Sequence, residues 1–502
     1  MACISRGYTY NSPSFSGGYV SLDSAKHQEA LATPRFRRLR RFLKIFSLWC
    51  LICLGFSFIP DGRRTLELTD VEKFSRPGAV RAGFARKEIT PDPKKLGYTV
   101  SAYRNKTQPP PVLTPLYVRA AVFSNEKKVD GFIAVVSVEC LVIPPGLLDA
   151  VHKRLSRAGL SGGRILLAAT HTHSGPGNYF PTAIGQQVFG PFNPQWFDKL
   201  AEYIASTIRR AHSARRKVRM VWCPVFGGDV IRNRLSKPVD KLHRWTDSEV
   251  SAVKFSSPSG KVLGWLVSAG AHALTTKYQG FGGDIPGAIS AGLEKHSTGS
   301  VAVFLSGAVG GARFSTHARV PKNPDQRLSD QAAADAIGKK LARRILKCEG
   351  STIQKDGLGF IRAEMTLPWA NVHPLPASAP WAGVRFLTAP LMRLGSWIAG
   401  FWLPKKAPLY GVRIGNVFML AAPGDVGNAL GAEWKRRLHP YHVIPVSHAN
   451  DYVLGYVEPK AEHNSGWVAG KADALERTLH LYGPNTGPLL TAAFMNMTKQ
   501  LK

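Results

Sequence analysis

The segment Ala168-Ala169-Thr170-His171-Thr172-His173-Ser174-Gly175-Pro176-Gly177 sets two imidazoles two positions apart, directly after an apolar run at 164–168 that reads as a strand. In α/β sheets, reactive groups gather beyond the carboxyl ends of strands. The Ser-Gly-Pro-Gly tail turns the chain there, so both His171 and His173 can face one crevice. Imidazole is the commonest metal ligand and binds in its neutral form. The same logic recurs twice. His272 closes Ser268-Ala269-Gly270-Ala271-His272 after a strand-like run at 262–267, and the loop Gly282-Gly283-Asp284 comes next. Pro423-Gly424-Asp425 follows an apolar run at 415–422, with Asn450-Asp451-Tyr452 and Tyr456 downstream. Three histidines, a carboxylate and a tyrosine form a mixed nitrogen and oxygen set suited to zinc. Taken singly, the histidine clusters also read as ordinary buried histidine.

Together these residues resemble a family. Thr170-His171-Thr172-His173-Ser174-Gly175-Pro176-Gly177 is similar to the hallmark of the neutral/alkaline, non-lysosomal ceramidases. Ala82-Gly83-Phe84 with Ile89-Thr90-Pro91, Leu116-Tyr117-Val118-Arg119-Ala120, Asn233-Arg234, Gly283-Asp284, Asn450-Asp451-Tyr452 and Tyr482-Gly483-Pro484 resemble further motifs in the same order, over about residues 80–490. The resemblance implies a zinc amidase that cleaves the N-acyl bond of ceramide. By it, His171, His272, Asp425 and Tyr456 would hold one Zn2+, with Asp425 standing where the family has a glutamate. His173 would move protons beside the metal, Arg234 would contact substrate or the oxyanion, and Asp284 and Tyr452 would line the substrate site. Zinc chemistry there would polarise the amide carbonyl and lower the pKa of a bound water.

One motif departs. The family's Gly-Asp-x-Ser segment is replaced by Gly307-Ala308-Val309-Gly310-Gly311-Ala312-Arg313-Phe314-Ser315, which puts Arg313 at the serine position. An arginine is always charged and cannot serve as a nucleophile. The expectation is that Arg313 points into the pocket, paired with Asp284 or awaiting an anionic substrate group. The competing function is a non-catalytic relative that binds lipid or holds an envelope partner. A cell-envelope amide is a further substrate class within the hydrolase reading.

These residues need a frame. Strand-like runs at 116–123, 131–138, 164–168, 218–223, 250–255, 262–267, 301–305 and 410–421 alternate with helical patterns at 145–158, 196–211, 286–296 and 326–346. That alternation predicts an α/β fold of mixed β-sheets layered with α-helices, a single large domain at 80–495 with no internal repeat. Six cysteines in 502 residues exclude a disulfide scaffold; Cys140, Cys223 and Cys348 read as buried thiols, with one disulfide open. The formal charge of +33 suits an anionic membrane surface, while no zinc-finger or RNA-binding signature points to nucleic acid. Residues 1–42 read as a disordered tail. Arg35, Arg37, Arg38, Arg40, Arg41 and Lys44 precede the apolar run 45–59, so 43–60 reads as a signal anchor with the bulk of the chain exported. An aromatic-rich insertion at 376–406 reads as membrane-interfacial. Oligomeric state is not readable.

Overall fold

In the computed structural model the described residues are 34–57, 65–92, 110–125, 131–233, 246–277, 279–315, 326–353, 357–370, 395, 397–460 and 480–502. Three mixed sheets dominate. The first runs, edge to edge, Gly163–Ala169, Phe132–Val138, Tyr117–Ser124, Arg81–Glu88 and Arg216–Lys217. The second runs Val301–Ser306, Val262–Ala269, Glu249–Ser256, Arg219–Trp222 and Ser351–Thr352, with Val225–Phe226 pairing to Glu249–Ser256. The third runs Leu68–Arg76, Leu358–Thr366, Lys406–Ile414, Val417–Ala421 and His442–Val446.

The sheets share one connectivity. In each, three strands form an antiparallel meander, a helix crosses over, a fourth strand pairs parallel to the third, and a second helix follows. The crossover helices are Leu147–Arg157, Asp284–His296 and Asn428–Arg437; the second helices are Pro194–Ser213, Gln326–Leu346 and Thr486–Leu501. The sequence reading of no internal repeat is therefore corrected. The repeat lies in connectivity, which asks only for apolar strands and amphipathic helices and leaves residue identity unconstrained.

Local chemistry explains the elements. Phe132–Val138 is buried throughout, as a strand covered on both faces must be. Ile133 and Val135 join an inner core shared by all three sheets, while Phe132, Ala134, Val136 and Val138 face the helices. In the second sheet Val303 and Leu305 point inward, with Ala302 and Phe304 outward. In the third, Val417, Met419 and Ala421 oppose Phe418 and Leu420. The helices bury one stripe each, such as Leu147, Val151 and Leu155. Asn193 caps the Pro194–Ser213 helix by accepting from the Trp196 N–H at 2.9 Å, and proline suits its first turn. The run expected as one strand at 410–421 is a hairpin, because Gly415 takes a φ of 61° and turns the chain.

Residues 1–58 form a unit separate from 59–502. Its helix spans Pro34–Ser57, so residues 34–42, expected in a disordered tail, are helical; the arginines there are good helix formers and Pro34 suits the start. Among the described residues no helix is long and apolar enough to cross a membrane. The basic run occupies the first half of this helix, and the apolar stretch from 45 to 57 spans only about 20 Å against a hydrocarbon core of about 30 Å. The anchor expected at 43–60 is not confirmed by this helix; residues 58–60 lie outside the described residues, as do 1–33. Of the 376–406 insertion, 376–394 and 396 also lie outside them.

Candidate metal centre

Each parallel strand pair opens at its carboxyl end, and the third sheet's last loop joins all three. The Ser447 N–H donates to the Ser306 carbonyl, and its hydroxyl donates to Gly307 O at 2.7 Å. The Asn450 N–H donates to Leu167 O, while its side chain accepts from the Leu167 N–H at 2.7 Å and donates to Ile165 O at 3.2 Å. The His448 and Ala449 N–H groups donate to Gly424 O and Ala422 O. Asn428 makes a similar junction from the helix Asn428–Arg437: its amide donates to Gly270 O and Ala308 O, and it accepts from the Asp247 N–H at 2.6 Å. Loops that would wander on their own are thus stitched across sheet boundaries by backbone and side-chain hydrogen bonds.

The histidines meet at one carboxylate oxygen. Asp425 Oδ1 lies 3.5 Å from His171 Nε2, 3.3 Å from His272 Nε2 and 3.4 Å from His448 Nε2. His171, His272 and Asp425 offer ligand atoms within 4.8 Å of one another, all buried. The remaining ring nitrogens fix the tautomers. His171 Nδ1 is 2.8 Å from Leu141 O; His272 Nδ1 is 2.8 Å from Val309 O and 3.0 Å from Ala312 O. Donation from Nδ1–H to a carbonyl leaves the Nε2 lone pair for a cation, the arrangement that orients metal-binding histidines. The donor set therefore fits a divalent metal.

Two tyrosines complete the wall. Asp425 pairs in register with Tyr456 across the short parallel strands Gly424–Val426 and Gly455–Val457, which puts both side chains on one face. Tyr456 Oη lies 3.1 Å from His272 Nε2. The Tyr452 hydroxyl donates to Asp425 Oδ2 at 2.9 Å, which fixes the carboxylate with Oδ1 toward the histidines. His173 is half-buried, its ring edge-on to His171 at 4.9 Å. The segment carrying both histidines is held by Thr172, whose hydroxyl donates to Gly282 O at 2.7 Å. Gly175 passes so close to Cys140 that a Cβ there would sit 2.8 Å from its Cα, so a side chain is excluded.

Arg313 is exposed: the strand Ala312–Phe314 alternates buried, exposed, buried, and the Arg313 backbone bridges to His272. The expected pairing with Asp284 is corrected. That carboxylate is buried, accepts from the Thr276 N–H at 2.7 Å, the Thr276 hydroxyl at 2.9 Å and the Ile285 N–H at 2.6 Å, and anchors the loop before its own helix. The glycine loop has a different duty, since Val309 and Ala312 orient His272 and Gly310 packs against Gly427. Arg313→Ala is expected to change stability by less than about 0.5 kcal/mol and zinc affinity not at all; a tenfold weaker affinity would return Arg313 to the site. Arg234 lies outside the described residues. Cys140, Cys223 and Cys348 are free thiols.

The sequence reading missed His448. It is fully buried, stacked flat on His171 with ring centroids 3.8 Å apart and planes at 5°. Burial, then the neighbouring His171, His272 and His173, hold its imidazole well below the ordinary histidine pKa, so it is neutral. A signal was available: His448 stands two residues past the parallel strand of the third sheet, as His171 does in the first.

No protein-family model matches the chain, and no curated protein matches it. Among solved structures it is similar to the neutral ceramidase from Pseudomonas aeruginosa, with TM-score 0.67 and 19% identity over 84% of this chain and 74% of that one. It is likewise similar to a ceramidase complexed with C2, with TM-score 0.69 and 18% identity over 84% of this chain and 76% of that one. The chain shares its fold with the neutral ceramidases.

Proposed function

We propose that this protein is a zinc-dependent hydrolase of a lipid-like amide, of the ceramidase type. The observation that carries the proposal is the convergence of two tautomer-fixed histidines and a buried aspartate at the mouth of three sheets, in a fold shared with ceramidases. His171, His272 and Asp425 would hold the ion, with Tyr456 beside them. When bound, zinc supplies Lewis-acid polarisation of a carbonyl and a lowered pKa for water. His173, half-buried next to His171, is placed to take up or deliver a proton at its ring. Tyr452 keeps the Asp425 carboxylate aimed.

The test is release of fatty acid from N-acylated sphingoid and other lipid amides by wild type and His272→Ala. Turnover in the wild type that falls at least about 100-fold in the variant supports the reading, a loss beyond that of perturbing a residue behind the ligands. Metal-loaded protein that turns over no amide would favour the non-catalytic, lipid-binding alternative.

A membrane surface is the partner we propose, on the exported side of the bilayer. Trp397, Ile398, Phe401 and Trp402 are exposed, with Lys405 and Lys406 following. Aromatic side chains favour the headgroup level, and lysines favour anionic lipid by about 1 kcal/mol each near the surface. Phe401→Ser with Trp402→Ser is expected to weaken binding to anionic vesicles at least tenfold and leave hydrolysis of a water-soluble short-chain amide unchanged. Equal vesicle binding by both proteins would reject this role.

A further inference from the structure

We infer that His448 is a third imidazole ligand of the metal centre, which makes it a three-histidine, one-carboxylate site. The inference rests on the zinc reading above and adds to it a residue outside the ligand set that the resemblance implies.

Three observations carry it. First, distance. In a tetrahedral zinc site with bonds of about 2.0–2.1 Å, neighbouring ligand atoms stand about 3.3–3.4 Å apart, because a tetrahedron's edge is about 1.63 times its centre-to-corner length. The separations from Asp425 Oδ1 to the Nε2 atoms of His272, His448 and His171 are 3.3, 3.4 and 3.5 Å. All three imidazoles thus stand at ligand-to-ligand spacing from the carboxylate, while His171, His272 and Asp425 are the set whose ligand atoms also lie within 4.8 Å of one another.

Second, satisfaction. His448 is 0% exposed, and neither Nδ1 nor Nε2 has a hydrogen-bond partner. An imidazole sealed from water without partners loses its solvation and gains nothing in return. A bound cation would satisfy Nε2 directly. Third, backbone. His448 holds a left-handed φ of 55° and Asn450 one of 60°, both non-glycine residues. Such conformations are strained and persist where the surroundings enforce them, often at functional sites. Here the enforcing bonds run to all three sheets, through Ser306, Ala422, Gly424 and Leu167.

The stacked rings set a condition. Parallel imidazoles 3.8 Å apart cannot both aim in-plane lone pairs at one ion. Loading therefore turns the His448 ring about its Cβ–Cγ torsion, which is broad for histidine and which no hydrogen bond opposes here.

The experiment is zinc X-ray absorption on the full chain, with imidazole scattering counted in wild type and His448→Gln, alongside zinc affinity by chelator competition. Three imidazoles in wild type, two in the variant, and an affinity lower by about 100-fold or more are expected, since changes behind the ligands cost 10–100-fold. Two imidazoles in wild type would overturn the inference and leave the zinc hydrolase standing. Wild type that binds no zinc would overturn both. The wild-type count decides the matter even if the variant fails to fold.

Discussion

Asp425→Ala is expected to lower zinc affinity by more than about 100-fold, above the range for residues that act behind the ligands. Hydrolysis of any amide substrate should fall in parallel. Asp425 Oδ1 is the common corner of three Nε2 contacts between 3.3 and 3.5 Å, so its loss removes the carboxylate that, among the described residues, the imidazoles share. Tyr452→Phe makes an instructive contrast. It removes the donor to Oδ2 and keeps the ligand, so a loss of about 10–100-fold is expected. Chelator competition separates the two. Equal affinity for Asp425→Ala and wild type would remove Asp425 from the site.

Arg119→Met should be the most destabilising change away from the centre. The guanidinium is buried between Glu139 and Glu294, both also buried, with Nε 2.9 Å from Glu294 Oε1 and a second contact to Glu139. Burial pulls the guanidinium pKa down, but the two carboxylates outweigh it and hold the group charged. Removing it leaves Glu139, whose carboxyl burial already pushes upward in pKa, with the Tyr117 N–H, and Glu294 with Arg86 and the Ala302 N–H. Breaking a buried ion pair by deleting one partner costs about 3–5 kcal/mol. Urea unfolding should show that loss, and Glu139→Gln added to Arg119→Met should restore part of it. A loss under about 1 kcal/mol, or no recovery in the double variant, would mean the pairing is not what holds Arg119 in place.

Much of the site was readable because chemistry and patterning coincide there. His171, His272 and Asp425 each follow a run of apolar residues long enough to read as a strand, and the structure brings those strand ends together. His448 escaped because its strand, His442–Val446, is short and contains Pro445, a residue that argues against a sheet interior; the strand lies at a sheet edge, where proline is tolerated. Leu358–Thr366 escaped because Arg362 and Glu364 interrupt its apolar run, although Phe360, Ile361 and Ala363 are core. Arg313 lies in a strand that begins at Ala312, after the left-handed Gly311, and a strand's two-residue period, which motif similarity does not register, leaves its side chain exposed between buried neighbours. The threefold connectivity is invisible in residue identity, since a buried strand needs only apolar side chains and each unit supplies a different set.

The most direct test of metal-dependent amide hydrolysis joins stoichiometry to activity in one sample. The purified chain is stripped with a chelator, dialysed, and titrated with zinc while fatty-acid release from an N-acylated sphingoid lipid is followed. The expected result is no activity in the stripped protein and a linear recovery that saturates at one zinc per chain. Stripped protein as active as the loaded form, or zinc bound at one equivalent with no release of fatty acid, would contradict it.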